Sequence, residues 1–211
     1  MSDFKAARAG LMRSLQRTGI RDRRVLEAIG RVPRERFVPA DLAEAAYEDR
    51  ALPIGEGQTI SQPWVVARMT ELLDVRPTDR VLELGTGSGY QAAVLAELAA
   101  EVVSAERHGS LAERAAALLA ELGYRNVRVV HTDASAGLTE WAPYDRIIVT
   151  AATPSIDPAL VAQCRPDGRI VAPVGGPDHQ ELVVRRPDGS EKRYGAVKFV
   201  PLLGRGGFRG E

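Results

Sequence analysis

Apolar residues recur at two different spacings along this chain, and the spacing changes near residue 80. Before that point Leu11, Leu15, Val25, Leu26 and Ile29 fall at helical intervals among charged residues, so residues 3–46 read as helical. Gly19, Gly30 and Pro33 punctuate that stretch. Residues 47–61 show neither a helical nor a strand period, and they contain Pro53, Gly55 and Gly57. A long loop of this kind inside a compact domain is uncommon unless it carries function. Pro63 then suits the first turn of a helix reaching Leu73, with Val66, Met69, Leu72 and Leu73 on its apolar side.

From Arg80 onward, predicted strands (80–84, 101–105, 127–131, 144–150 and 169–174) alternate with predicted helices (89–99, one ending near Leu122, and 157–163). The runs Val81-Leu82, Val102-Val103 and Ile147-Ile148-Val149 have the continuous apolar character of parallel strands covered on both faces. Strand–helix alternation of this sort implies right-handed crossovers and an α/β, doubly wound, mostly parallel Rossmann-like sheet. The end differs. Residues 181–186, the turn Pro187-Asp188-Gly189 and residues 191–199 read as an antiparallel hairpin. The glycine- and arginine-rich tail 204–211 is expected to be mobile unless it closes over a ligand. The whole reads as one domain, 1–211: a helical cap and loop region (1–62), an α/β core (63–175), and the hairpin with its tail (176–211).

Composition narrows the function classes. With 211 residues, 45% of them hydrophobic, the chain can bury a sizeable core without disulfides. Twenty-eight basic and 28 acidic side chains cancel, which argues against a general nucleic-acid binder. The single cysteine, Cys164, is assigned to the helix around 157–163 as a small buried hydrophobe. No apolar stretch is long enough for a membrane span and the N-terminus is unlike a signal peptide, so the expectation is a cytoplasmic protein, as a monomer. His108, His131 and His179 lack a metal-ligand spacing, and no metal is expected.

The densest chemistry lies at the ends of the predicted strands. Gly85-Thr86-Gly87-Ser88-Gly89 follows the first strand directly and precedes a helix. In open α/β sheets ligands bind at the carboxyl ends of strands, near the point where strand order reverses. A dinucleotide fingerprint would be G-x-G-x-x-G. Here the third glycine comes one position early and Tyr90 takes the final place. Glu83, just before the loop, would be awkward beside a pyrophosphate but would suit the ammonium and sulfonium of S-adenosylmethionine. Glu106, with Arg107 beside it, ends the second strand, where a carboxylate can accept both ribose hydroxyls. Asp133, with Ala134 beside it, follows the third strand and can accept a hydrogen bond from an adenine amino group. Each acid taken singly could be a solvated strand end or a cap. Together they point to S-adenosylmethionine, with S-adenosylhomocysteine as product. The set resembles the class I S-adenosylmethionine-dependent methyltransferases over about residues 78–175.

The methyl acceptor has to be read elsewhere. After the fourth strand stands Thr150-Ala151-Ala152-Thr153-Pro154, where many N-methyltransferases carry N/D-P-P-Y/F. No cysteine or histidine is placed as a nucleophile or base. A carboxylate acceptor needs no base, being ionised already at neutral pH. Four segments carry a closer resemblance: residues 51–63, which include Gln58-Thr59-Ile60-Ser61-Gln62-Pro63; residues 81–90; residues 144–152; and Val171-Ala172-Pro173-Val174-Gly175. They are similar to the protein-L-isoaspartate (D-aspartate) O-methyltransferases, from about residue 10 to Leu202. The resemblance implies a methyltransferase sheet and repair of damaged proteins. The free α-carboxylate of an isoaspartyl residue would be methylated, and the ester would collapse to a succinimide that partly reopens to aspartate. It further implies that Ser61 is the catalytic position, and that Gln58, Thr59 and Ile60 cover the cofactor and form part of the peptide cleft. Ser61 also reads as a cap for the helix that Pro63 opens. Where some relatives carry histidines, this chain has Trp64-Val65-Val66. Three other readings stay open: an aspartate-directed O-methyltransferase of a peptide natural-product pathway, an NAD-dependent oxidoreductase, and a cofactor-binding regulatory module.

Overall fold

The computed structural model of the protein describes residues 4–209. It opens with helices α1 (Phe4–Arg17) and α2 (Arg23–Arg31). Asp22 starts α2 by accepting a hydrogen bond from the Arg24 N–H, which satisfies one of the free amides at the helix end. The expected helical span then tightens into two 3-10 segments, Arg34–Phe37 and Ala40–Tyr47. Each follows a proline, Pro33 or Pro39, and proline pushes its preceding residue out of the α conformation. Asp3, the first residue of that expected span, lies outside the described residues.

Residues 47–61 are more ordered than their composition implies. They hold an antiparallel hairpin of β1 (Leu52–Gly55) and β2 (Gln58–Ile60). Leu52, Ile54 and Ile60 are buried. The alternation is real, but strands of four and three residues are too short to show a period against Pro53 and two glycines. Helix α3 (Pro63–Leu73) follows, with Pro63 in its first turn as expected.

The core continues β3 (Arg80–Leu84), α4 (Tyr90–Ala96), β4 (Glu101–Glu106), α5 (Gly109–Glu121), β5 (Val127–His131), β6 (Tyr144–Val149), α6 (Pro158–Gln163), β7 (Cys164–Gly175), β8 (Gln180–Arg185) and β9 (Glu191–Val197). Among the described residues one seven-stranded sheet has the order β5-β4-β3-β6-β7-β8-β9. The pairs from β5 through β7 are parallel, and β7–β8 and β8–β9 are antiparallel. The expected doubly wound sheet with a C-terminal antiparallel hairpin is therefore present. Leu82, Val103, Ile147 and Ile170 pack on one face, and Val81, Val102, Ile148 and Val171 on the other, all at 0% exposure. That double burial explains the unbroken apolar runs.

Several boundaries move, two of them with consequences for the core. Helix α4 spans Tyr90–Ala96 rather than 89–99, with Gly89 outside it as the cap. Cys164 is not in a helix: it opens β7, pairing with Tyr144 of β6. The turn of α6 ends at Gln163, and burial pushes the Cys164 thiol up to about 11, which leaves it a packed, unreactive group. After β3 the chain winds outward to β4 and β5, then returns to β6 on the other side of β3. The crevice at the carboxyl ends of β3, β4 and β6 is the switch point where such sheets take ligands.

Candidate active site

The glycine loop is drawn tightly over the end of the sheet. Gly85 and Thr86 N–H groups both donate to the Ala105 carbonyl, at 2.8 and 3.1 Å. Gly85 has φ +100°, and a Cβ there would lie 2.5 Å from Thr150 Oγ1. Only glycine permits both the left-handed backbone and that approach. The Thr150 hydroxyl faces the Leu84 and Gly85 carbonyls at 2.9 and 2.6 Å, pinning the loop to the end of β6.

Glu106 is 5% exposed and is fixed by two amides. Gly87 N–H donates to Oε2 at 2.8 Å and His108 N–H donates to Oε1 at 2.9 Å. An ionised carboxylate has about four acceptor positions, so it keeps capacity for a pair of ligand hydroxyls. Asp133 is fixed in the same way: Ser135 N–H donates to Oδ1 at 3.0 Å and Arg205 N–H to Oδ2 at 3.4 Å. Partial burial works against its charge, yet the hydrogen bonds from Ser135 and Arg205 and the nearby Arg107 hold its carboxyl below the ordinary range.

The tail closes one side of this cleft. Gly204 N–H donates to the Phe208 carbonyl and Gly206 N–H to Ser135 Oγ. A Cβ on Gly204 would lie 2.3 Å from Asp133 Oδ1, so the chain crosses the acid at its closest approach. The tail, expected to be mobile unless it closes over a ligand, lies against residues 133–135 as far as the described residues extend. Together Gln58, Thr59, Gly85, Gly87, Glu106, Arg107, Asp133, Ala134, Thr150 and Leu202 help enclose about 680 Å³, part of it continuous with solvent.

Glu83 stands apart from this wall. Its side chain is 0% exposed and is not among the residues lining the cleft. Ser104 Oγ donates to Glu83 Oε2 at 2.5 Å and lies 2.5 Å from Thr86 Oγ1, a buried chain running behind the glycine loop. Glu83 Oε1 has no hydrogen-bond partner among the described residues. Burial pushes the carboxyl up to about 8; the bond from Ser104 opposes this and the charge of Glu106 adds to it. Burial thus favours the protonated form, and the side chain packs behind the loop.

Ser61 lies where two spaces meet. With Ile60, Thr86, Gly87 and Tyr90 it lines a recess beside the cofactor cleft. With Ala51, Trp64, Val65 and residues 196–200 it lines an open groove. Thr59 and Thr150 border the cleft, the recess and the groove alike. Ser61 is not the helix cap: Gln62 holds that position without a side-chain bond, and the Trp64 N–H is taken by Asp49 Oδ1 at 2.9 Å. The Ser61 hydroxyl has no hydrogen-bond partner among the described residues. Gly89 lines none of these spaces and packs against Ala115 and Leu119. Thr150, quoted in the sequence only for the motif it lacks, and the segment 200–203, which no motif marks, are cleft residues as well. Their only signal is position, one at a strand end and the other just beyond the hairpin. His131 is turned to the Arg107 carbonyl, and His108 contributes its backbone N–H, so neither is posed as a base.

Comparison with known proteins bears on the substrate. The family model described as protein-L-isoaspartate(D-aspartate) O-methyltransferase matches residues 6–207. A protein-L-isoaspartate O-methyltransferase of Methanoculleus marisnigri is 55% identical over 196 residues, which are 92% of this chain and 89% of that protein. One of Roseiflexus sp. (strain RS-1) is 50% identical over 205 residues, 96% of this chain and 94% of that protein. A solved protein-L-isoaspartate O-methyltransferase superposes with a TM-score of 0.82 at 29% identity, over 94% of this chain and 66% of that longer one. A Plasmodium falciparum structure of the same description, in complex with S-adenosyl-L-homocysteine, gives a TM-score of 0.80 at 23% identity, over 96% of this chain and 99% of that one. The last likeness concerns the fold.

Proposed function

The chain belongs to the protein-L-isoaspartate(D-aspartate) O-methyltransferase family, and from that premise we propose how its cleft and groove divide the work. It is an S-adenosylmethionine-dependent carboxyl O-methyltransferase. It methylates the free α-carboxylate of L-isoaspartyl and D-aspartyl residues in damaged proteins. The observation that carries the division of roles is the position of Ser61, its hydroxyl unengaged, between the cofactor side and the open groove.

The residues present fit this cofactor. Glu106 is a fixed acceptor at the end of β4, and Asp133 is another just beyond β5. When bound, S-adenosylmethionine supplies an electrophilic methyl group on a sulfonium. Glu106 holds the ribose hydroxyls, Asp133 and Ala134 the adenine, and Gly85 to Gly87 the chain that carries the sulfur. Gln58, Thr59 and Ile60 cover the cleft from the hairpin side. Ser61 donates to one oxygen of the substrate carboxylate and sets its angle. The other oxygen would be left facing the donor's methyl group, whose transfer would release S-adenosylhomocysteine. No proton moves, which accords with the lack of a posed base. Proximity and alignment of this kind can supply about 7–11 kcal/mol of a barrier. The ester then closes to a succinimide unaided, with loss of methanol, and part of it reopens to aspartate. The working unit we propose is a monomer, acting in the cytoplasm.

The test is labelled S-adenosylmethionine with a matched peptide pair, one containing isoaspartate and one aspartate. Label should enter the first as a base-labile ester and barely enter the second. Equal labelling of both would overturn the repair reading.

A further inference from the structure

Arg34 is 0% exposed and lies on the first 3-10 segment, 27 positions before Ser61. Its Nε donates to the Ala46 carbonyl at 2.7 Å and its Nη2 donates to the Ser61 carbonyl at 2.8 Å. The guanidinium carbon is 4.7 Å from the centre of the Tyr90 ring. Tyr90 directly follows the glycine loop and opens α4. Phe37, from the same 3-10 turn as Arg34, meets that ring edge-on at 5.6 Å. The third nitrogen, Nη1, is buried and makes no hydrogen bond of ordinary geometry among the described residues, although the Tyr90 hydroxyl and the Asp49 carboxylate are near enough to favour its charge. No carboxylate pairs with Arg34 among the described residues.

A buried cation with no carboxylate paired to it is costly, so it has to be offset by contacts that an apolar side chain cannot make. What an apolar residue cannot do is stack on an aromatic face while donating in its own plane to carbonyls on two other segments. Arginine alone has that geometry; lysine offers a point charge. We propose that Arg34 is a positioning residue, which fixes the backbone of Ser61 against the helix that follows the cofactor loop. The serine hydroxyl and the methyl donor are thereby held in one register. The proposal rests on the repair reading for what Ser61 does.

The experiment is a double-mutant cycle in the full chain. Arg34→Lys and Arg34→Met are each made with Ser61 present and in the Ser61→Ala background. Turnover of the isoaspartyl peptide at saturating S-adenosylmethionine, calorimetric affinity for S-adenosylhomocysteine, and thermal unfolding are measured for each. With Ser61 present, both variants should lose on the order of 10- to 100-fold in kcat, the cost of misplacing a reacting group by about 1 Å. KM for the peptide and affinity for S-adenosylhomocysteine should stay within about threefold. Groups that act as a unit are not additive, so in the Ser61→Ala background the same changes should cost no more than about threefold. Equal losses in both backgrounds would overturn the proposal, as would a loss confined to cofactor affinity. If both variants unfold below the assay temperature, Arg34 serves stability alone and the proposal fails. A wild-type chain inert toward the isoaspartyl peptide would instead remove the repair reading, and the proposal with it.

Discussion

The two walls of the active-site cleft are held by different means. On the cofactor side the key acids are fixed by backbone amides, one near in sequence and one distant for each: His108 and Gly87 N–H hold Glu106, and Ser135 and Arg205 N–H hold Asp133. On the hairpin side nearly every tie comes from a distant side chain. Arg34 reaches Ser61, Asp49 reaches the Trp64 amide, and Arg114 Nη2 donates to the Ile54 carbonyl at 2.9 Å. Backbone geometry at a strand end is rigid and leaves little to adjust. A hairpin suspended on side chains from three other segments can be detuned while the cofactor wall stays as it is. The two walls should therefore fail separately.

The sharpest way to break that contrast is Ser61→Ala. Its hydroxyl holds no other group among the described residues and caps no helix, so its loss should leave thermal unfolding unchanged. Turnover should fall by about 100-fold, the scale of a misplaced reacting group. Affinity for S-adenosylhomocysteine should remain within a few-fold by calorimetry. An equal loss in both quantities would show that the walls are not independent.

The same contrast explains what could be read from the chain beforehand. The strands of the sheet announce themselves because burial on both faces makes runs such as Ile147-Ile148-Val149 uniformly apolar. Glu106 and Asp133 are legible because a strand end in a doubly wound sheet has a known relation to the ligand. Nothing comparable marks the other wall. The hairpin 52–60 is too short for its alternation to stand out, and Arg34 looks like any surface arginine until the fold brings Ala46, Ser61 and Tyr90 around it. The Asp49 cap on α3 joins residues 15 apart, so Ser61 is the natural reading from local sequence alone. Glu83 shows the limit on the legible side. Its position before the loop is plain, but whether its carboxyl points into the cleft or behind it depends on Ser104, 21 residues away on the next strand.

Glu106→Ala is the complement of the serine change and should have the next largest effect. It removes the acceptor proposed for the ribose and releases the Gly87 and His108 amides from their partner. Affinity for S-adenosylhomocysteine should weaken by about 1–3 kcal/mol, the range for a lost hydrogen bond to a charged group. Turnover at saturating cofactor should fall much less. A collapse of kcat with unaltered affinity would invert the assignment of the walls.

The smallest effect concerns what stands behind the cofactor wall. The Glu83 carboxyl, raised from an ordinary 4.5 to about 8 by burial, stays protonated in the folded chain over a range where the unfolded chain has already released its proton. In that window the unfolded state binds fewer protons, so this group's contribution makes stability fall as pH rises, and the decline levels off above pH 8. Glu83→Gln cannot ionise and should not share the decline. Urea unfolding of both proteins at pH 5, 6, 7 and 8 should therefore show the difference between them widening in favour of glutamine with each step. At pH 7 the neutral amide resembles the protonated acid already in place, so affinity for S-adenosylhomocysteine should change by no more than about twofold. Parallel stability curves would mean that Glu83 is ionised in the folded chain. A large loss of cofactor affinity at pH 7 would mean that its charge faces the ligand after all, and the cofactor wall would then extend one layer deeper than the residues that line it.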